Sequence, residues 1–262
     1  MCGYSPSSSR RNLIRAILSD IHGNLEALKA VLADAAACGA DEYVCLGDVV
    51  GYGPDPAPCL DLARKVCRIV LRGNHEVAVP GGDTVGMKDH VRATIDDARN
   101  DLSPGALGVG KARWNFVKHL PDRYREGDQL YVHASPRDPI HEYVLPSDCR
   151  DLPEKIREIF KLFDRIAFVG HTHVGGVFTS QPVFRHVSEL AEREPVGSQK
   201  WLVNVGSVGQ PRDRDPRACY LLFDGESLRF RRVTYDLEKT MHKIVHERGY
   251  DPVLAKRLAD GT

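Results

Sequence analysis

No stretch of this 262-residue chain reaches 18 consecutive apolar residues, so it offers no candidate membrane-spanning helix. Neither sign of charge prevails. With 36 Lys and Arg against 36 Asp and Glu, no global field draws the protein toward nucleic acid or an anionic membrane, and attraction for a charged substrate must be local. The seven cysteines (Cys2, Cys38, Cys45, Cys59, Cys67, Cys149, Cys219) form no C-x-x-C, are odd in number and in several cases sit in apolar runs, as buried free thiols of a reducing cytosol do. The opening segment, residues 1–12, has no apolar core of a signal peptide and is read as a disordered Ser-rich, Arg-containing tail; a cytoplasmic location is expected. There is no internal repeat. His242 and His246 are four residues apart but lack the Glu of an H-E-x-x-H metal helix and are read as a solvated face. His90, His119, His141 and His186 have no partner at diagnostic spacing and default to structural roles.

What is present, 42% hydrophobic and 27% charged residues, is ordinary globular material sufficient for one large domain, placed at residues 13–262. Strand-like and helix-like patterns alternate, as in layered α/β proteins. Helices are expected over 25–37, stopped at Gly39, and over 56–65, with strands at 43–46 and 68–71. Between Glu76 and Leu130 the strand signal disappears, and 88–102 and 106–120 read as amphipathic helices separated by Ser103-Pro104-Gly105, a helical cap spanning about 77–129. After the Pro-rich stretch 136–153 a helix is expected over 154–163. Short alternating runs from Val174 onward read as hairpins of a second sheet, with Asp224-Gly225 as one turn, before closing helices at 237–248 and 252–258.

Five of the apolar runs end in polar residues of one chemical kind. They are Asp20-Ile21-His22-Gly23-Asn24, Gly47-Asp48, Gly73-Asn74-His75-Glu76, His133 and Gly170-His171-Thr172-His173. In an open α/β architecture, strand ends of this kind meet along one rim, where ligands bind. Carboxylate, imidazole and amide oxygen suit Mn²⁺, Fe²⁺, Zn²⁺ or Mg²⁺, and seven such groups exceed the needs of one tetrahedral ion. An Asp beside a strand end is, taken singly, a turn or helix cap, and a lone His is a satisfied core residue. Capping does not account for the joint pattern.

The ordered series D-x-H, GD, GNH[DE], H and GHxH, met from Asp20 to His173, resembles the calcineurin-like metallophosphoesterase superfamily, in a bacterial and archaeal branch related to diadenosine tetraphosphatases and serine/threonine protein phosphatases. The resemblance implies a four-layer α-β-β-α sandwich of two mixed β-sheets flanked by helices, with the small helical cap. It also implies two divalent metal ions (Mn²⁺, Fe²⁺ or Fe³⁺, Zn²⁺ or Mg²⁺), the first held by Asp20, His22 and His173, the second by Asn74, His133 and His171, with Asp48 bridging. Hydrolysis of a phosphate mono- or diester by a metal-bridging hydroxide follows. Two divalent ions, two carboxylates and a hydroxide leave one net positive charge facing the substrate. By the same resemblance His75 is not a ligand but a catalytic group that stabilises phosphoryl charge or protonates the leaving oxygen, whereas Glu76 is read as structural.

Asn204-Val205-Gly206-Ser207-Val208-Gly209-Gln210-Pro211-Arg212 and the segment from His133 to Pro139 with Tyr143 are similar to stretches of the same branch. Arg212, Arg137, Tyr143 and Tyr52 are therefore candidate substrate contacts. The alternatives are a turn with a surface Arg for Arg212 and packing beneath the cap for the tyrosines. Phosphoprotein phosphatase, cyclic-nucleotide phosphodiesterase and dinucleoside polyphosphate hydrolase all remain open. A metal-free binding scaffold of the same fold is the alternative from another class, but it predicts eroded ligands, and all seven are here. The basic run Arg229-Phe230-Arg231-Arg232 reads as a charged sheet face, and a nucleic-acid partner is not expected.

Overall fold

The computed structural model describes residues 12–81, 84, 87–103 and 109–262, so residues 1–11, Pro104, Gly105 and the start of the second cap helix expected from 106 lie outside it. In chain order its elements are β1 (Arg15–Leu18), α1 (Leu25–Ala37), β2 (Glu42–Cys45), α2 (Pro56–Val66), β3 (Ile69–Val70), α3 (Asn74–Ala78), α4 (Asp89–Leu102), α5 (Val109–Lys118), β4 (Arg123–Glu126), β5 (Gln129–Val132), α6 (Asp148–Asp151), α7 (Pro153–Ile159), β6 (Ile166–Val169), β7 (Gly176–Thr179), β8 (Phe184–His186), β9 (Glu194–Pro195), β10 (Trp201–Asn204), β11 (Ala218–Phe223), β12 (Ser227–Val233), α8 (Leu237–His242) and α9 (Pro252–Asp260). A 3-10 turn follows β8 and a π-helical turn, Lys243–Glu247, follows α8.

Two six-stranded mixed sheets result, one in the order β3-β2-β1-β11-β12-β9 and the other in the order β4-β5-β6-β10-β7-β8. Their packing follows from a period of two in strands buried on both faces. Ile17, Val44, Tyr131, Phe168, Trp201, Val203, Leu221 and Phe223 point between the sheets and form one core. Their chain neighbours point outward: Ala16, Leu18, Cys45, Tyr220 and Leu222 pack under α1 and α2, and Leu130, Val132, Ala167, Val169 and Leu202 pack under α7. These faces make the four expected layers, helix, sheet, sheet, helix.

Local chemistry sets the element ends. Asn24 accepts a hydrogen bond from the Ala27 N–H (3.1 Å) as the N-cap of α1, and the helix ends at Gly39, whose φ is +78°. α4 carries Val91, Thr94, Ile95, Ala98 and Leu102 on its buried face; the last three of these join Val117 and Leu120 in the core beneath the first sheet, so the helical insertion extends that helix layer over the rim.

Three sequence expectations need correction. The stretch from Glu76 to Leu130 is not free of strands: Arg123–Glu126 pairs antiparallel with β5. Its signal is weak because an edge strand with a charged, exposed face has no apolar alternation to show. The C-terminal runs do not all belong to a second sheet. β11 and β12 join the first sheet beside β1, whereas β7, β8 and β10 join the second. The unbroken burial of Ala218–Phe223 marks a central strand, but sequence does not say of which sheet. The two-residue β9 was also missed.

Candidate metal centre

β1, β2 and β3 run parallel to one another, as do β5, β6 and β10, so the C-terminal ends of three strands in each sheet open on the same edge. The first sheet delivers Asp20 and His22 after β1, Asp48 after β2, and Asn74 and His75 after β3. The second delivers His133 after β5, His171 and His173 after β6, and Arg212 beyond β10. The 204–212 stretch ties the two rims together. Ser207 Oγ donates to the Asp20 carbonyl (2.9 Å), Asn204 Nδ2 to the Gly170 carbonyl (2.8 Å), and the Arg212 N–H to the His173 carbonyl (3.2 Å).

The side chains converge as two clusters about Asp48. In one, His173 Nε2 lies 3.2 Å from both His22 Nε2 and Asp20 Oδ1. In the other, His133 Nε2 lies 3.1 Å from His171 Nδ1 and 3.2 Å from Asn74 Oδ1. Asp48 Oδ2 stands between them, 3.8 Å from His22 Nε2 and 3.4 Å from His133 Nε2. His75 Nε2 is 3.9 Å from the same oxygen.

These groups fit a cation better than they fit one another. The Nδ1 atoms of His22 and His173 face the carbonyls of Val50 (3.2 Å) and Gln210 (2.5 Å), which fixes their protons there and leaves both Nε2 lone pairs pointing inward. Two bare acceptors 3.2 Å apart repel unless a positive charge lies between them. Asp20 Oδ1 is buried without a donor, while its Oδ2 accepts from the His171 N–H (3.0 Å). Burial holds His75 near pKa 3 and His133 near 4, and holds His22, His171 and His173 below the usual imidazole range, so all five present neutral nitrogen. Burial, then the carboxylates of Glu76 and Asp20, drives Asp48 well above the usual carboxylate range. For Asp20 burial acts in the same direction, but the group is held low by the imidazoles around it, His173 first, whenever they carry a proton. Neutral imidazoles around carboxylates of unequal proton affinity are a donor set that a divalent cation would satisfy.

Backbone strain concentrates at the same place. Asp20, His22, Asp48, His171 and His173 all have positive φ, between 47° and 64°, as does Tyr52 at 58°. Left-handed backbone at non-glycine residues costs on the order of 1–3 kcal/mol each and persists where surrounding structure imposes it. Glu76 supplies part of that constraint. Fully buried, it accepts hydrogen bonds from the N–H groups of Asp48, Val49, Val50 and Gly73 at 2.8–3.2 Å.

A cavity of about 310 Å³ opens over the clusters. Of the candidate substrate contacts, Tyr52, Tyr143 and Arg212 line it and Arg137 does not. Arg137 is exposed and paired with Glu142, whose carboxylate also receives the Ser135 hydroxyl. Tyr143 lies with its ring centroid 3.9 Å from that of His171, and Arg212 Nη2 donates to Tyr52 Oη (3.3 Å) and Gln210 Oε1 (3.0 Å). Sequence reasoning missed Met87, Lys88 and Val91 at the start of α4, and Arg257 on α9, all of which reach the cavity. No local signal marks them, since a basic residue in the last turn of a helix is an ordinary complement to the helix dipole. The exposed rings of His242 and His246 lie tilted against each other with centroids 4.9 Å apart, away from the cavity. Arg229, Arg231 and Arg232 are engaged by Glu192, Asp34 and Asp213, as befits a charged sheet face.

One glycine is sterically required. A Cβ on Gly51, whose φ is +82°, would lie 2.0 Å from His75 Nδ1. Gly51→Ala is expected to push the imidazole aside, lowering turnover on the order of tenfold or more while bound metal per chain stays the same. Elemental analysis beside steady-state rates checks this, and loss of metal together with activity would mean that Gly51 supports the Asp48 loop instead.

The fold and the clustered His and Asp side chains define an α/β metallohydrolase-type site. The chain belongs to the calcineurin-like phosphoesterase superfamily, whose domain model matches residues 14–227. It is 33% identical over 241 residues to the uncharacterised protein MJ0912 of Methanocaldococcus jannaschii, covering 89% of this chain and 92% of that one. Among solved structures, a metallophosphoesterase from Sphaerobacter thermophilus superposes with a TM-score of 0.82 at 33% identity, over 96% of this chain and 100% of that one. The hypothetical protein PH1004 of Pyrococcus horikoshii shares the fold, with a TM-score of 0.70 at 21% identity over 95% and 99% of the two chains. Among the described residues, no helix is long and apolar enough to cross a membrane.

Proposed function

We propose that this chain is a dinuclear-metal phosphoesterase whose preferred substrates are phosphate monoesters. In this reading residues 13–262 act as one domain, with the helices of the 77–129 insertion as its cap. The observation that carries it is the pair of His/Asp clusters on either side of Asp48, at the floor of a cavity whose wall presents Arg212. Asp20, His22 and His173 would hold one divalent ion and Asn74, His133 and His171 the other, with Asp48 shared; Mn²⁺, Fe²⁺ or Fe³⁺, Zn²⁺ and Mg²⁺ all suit these donors. Bound there, two divalent cations supply positive charge for the phosphoryl oxygens and acidify water.

The protein's own residues account for the rest. The clusters provide only two carboxylates against two divalent ions, and Arg212 adds a fixed cation, so a monoester dianion is attracted more strongly than a diester monoanion. Arg212 is held by Tyr52 and Gln210 and keeps a second face toward the cavity. Burial keeps His75 neutral before substrate binds. An arriving phosphate dianion raises its proton affinity, so the imidazole takes up a proton as substrate binds and can return it to the departing alkoxide.

The test is a paired assay of metal-stripped protein reloaded with Mn²⁺, using p-nitrophenyl phosphate beside bis-p-nitrophenyl phosphate. The monoester should be preferred by about tenfold or more, corresponding to ~1.4 kcal/mol of differential stabilisation. A preference for the diester overturns the monoester assignment, and no turnover of either overturns the enzyme. His75→Ala should lower monoester turnover on the order of 10²-fold for an alkyl ester, with a smaller loss for an aryl ester whose leaving group needs no proton. Equal losses on both would show His75 stabilising phosphoryl charge without assisting departure.

A further inference from the structure

Three cationic side chains line the cavity, and the proposed chemistry uses only Arg212. Arg257 reaches it from α9 and Lys88 from the start of α4, two elements far apart in sequence. Among the described residues, none of the three has a carboxylate side chain within ion-pair distance. Many other guanidinium groups among the described residues are matched. Arg248, in the loop just before α9, is 2.6 Å from Asp101, Arg165 is 2.5 Å from Asp128 and Arg231 is 2.6 Å from Asp34.

Arg257 is held in place. Its Nε donates to the main-chain oxygen of Thr262 (2.9 Å), and its guanidinium also meets the Tyr52 hydroxyl. The C-cap of α9, Gly261 with φ +63°, accepts from the Arg214 N–H (2.9 Å), so the end of the helix is docked onto the loop that carries Arg212. The guanidinium carbons of Arg212 and Arg257 lie 5.6 and 5.8 Å from the centroid of the same Tyr52 ring. Burial, reinforced by Arg212, lowers the proton affinity of Arg257, as expected for like charges brought together. The aromatic ring offsets part of that cost. Two guanidinium groups set against one aromatic ring at the wall of a cavity, with a lysine across from them on another element, are the arrangement of an anion receptor.

We infer that Arg257 and Lys88, beside Arg212, form a second anion subsite, and that the substrate is a phosphate ester carrying a further anionic group, phosphate or carboxylate, close to the scissile one. This rests on the phosphoesterase reading for its account of what occupies the floor. The subsite makes the cavity selective by charge number: a simple ester fills the floor and leaves two cations unmatched, whereas a bis-anionic ester neutralises both ends. Its source in two separate elements, the cap and the C-terminal helix, also makes it sensitive to how those elements sit over the rim.

The test compares phenyl phosphate with 3-phosphonophenyl phosphate and 3-carboxyphenyl phosphate on the Mn²⁺-loaded protein and its Arg257→Met and Lys88→Met variants. In the wild type, kcat/KM should favour one or both bis-anionic esters over phenyl phosphate, and each variant should lower that ratio about tenfold, mainly through KM. Which ester responds tells whether the subsite takes phosphate or carboxylate. A ratio unchanged in both variants overturns the subsite. If the wild type hydrolyses none of the three, the phosphoesterase reading has failed, and the subsite is then decided by calorimetric titration of the metal-free protein with 1,2-ethanedisulfonate. Binding that weakens about tenfold in Arg257→Met supports it, and equal binding or none overturns it.

Discussion

Asp48→Asn is expected to lower turnover on the order of 10³-fold or more and, in the same variant, to stabilise the protein when no metal is present. Both effects have one cause. Asp48 Oδ2 lies 3.4–3.9 Å from the Nε2 atoms of His22, His75 and His133, so in the proposed reading a cation on either side would lose its shared anionic donor when the carboxylate becomes an amide. Without metal, that carboxylate is buried beside Glu76 and Asp20, and its pKa is driven well above the usual range. A group whose folded pKa is raised favours the fold below its unfolded value, near pH 3.9, and loses that contribution as pH rises through the folded value. At pH 7 the metal-free wild type therefore carries a penalty that the amide removes. The amide keeps Oδ1 to accept from the His75 N–H (2.9 Å), so local geometry is retained.

Metal reverses the order. Binding to the native state stabilises by RT ln(1 + [L]/Kd), so saturating Mn²⁺ should raise the melting temperature of the wild type well above that of Asp48→Asn, while chelator leaves the variant the more stable. Calorimetric melting in Mn²⁺ and in chelator, with metal counted per chain, checks both halves. If the variant holds two metals and melts as the wild type does in each condition, Asp48 is not a shared ligand.

The chemistry of this rim was readable in sequence because each group follows directly on an apolar strand. Asp20, Asp48, Asn74, His133 and His171 stand within a few residues of β1, β2, β3, β5 and β6, and parallel pairing carries all of them to one edge. The two-faced core was equally legible, since strands buried on both sides leave runs such as Ile166–Val169 with no polar position. What escaped was set by pairings between distant parts of the chain. Ala218–Phe223 and Ile166–Val169 look alike as sequence, yet one pairs with β1 and the other with β5. Arg123–Glu126 is charged because its outer edge meets water, so it imitates a loop. Arg257 and Lys88 reach the cavity only because α9 and α4 fold over it, whereas Arg137, close in sequence to His133, is turned away by its pairing with Glu142. Nearness along the chain predicted the floor of the site and failed for its walls.

Glu76→Ala is expected to be the most destabilising single change near the rim, although Glu76 does not line the cavity. The variant leaves four buried N–H donors, those of Asp48, Val49, Val50 and Gly73, without an acceptor. Each orphaned donor costs about 1–3 kcal/mol, and the sum is comparable with the whole stability of a domain, about 5–15 kcal/mol. Burial outweighs those four hydrogen bonds and keeps the Glu76 carboxyl above its ordinary range, so its removal relieves desolvation and repulsion with Asp48, but four orphaned buried donors cost more than that relief returns. Glu76→Gln separates the two effects. It keeps one carbonyl oxygen for two donors and turns an amide NH₂ against the other two, so it should melt below the wild type but above Glu76→Ala, by some 5–10 °C at each step if each is worth about 2–3 kcal/mol. Function should fall further than stability alone accounts for. The loop that Glu76 holds also carries the Val50 carbonyl that orients His22 and the Gly51 backbone that lies against His75. At a temperature where Glu76→Gln is fully folded by circular dichroism, its metal affinity should be on the order of 10–100-fold weaker, the range seen when groups that orient ligands are altered. A variant that melts with the wild type and binds metal equally well would show that the loop is held by the sheet edges alone, with the carboxylate a passenger in it.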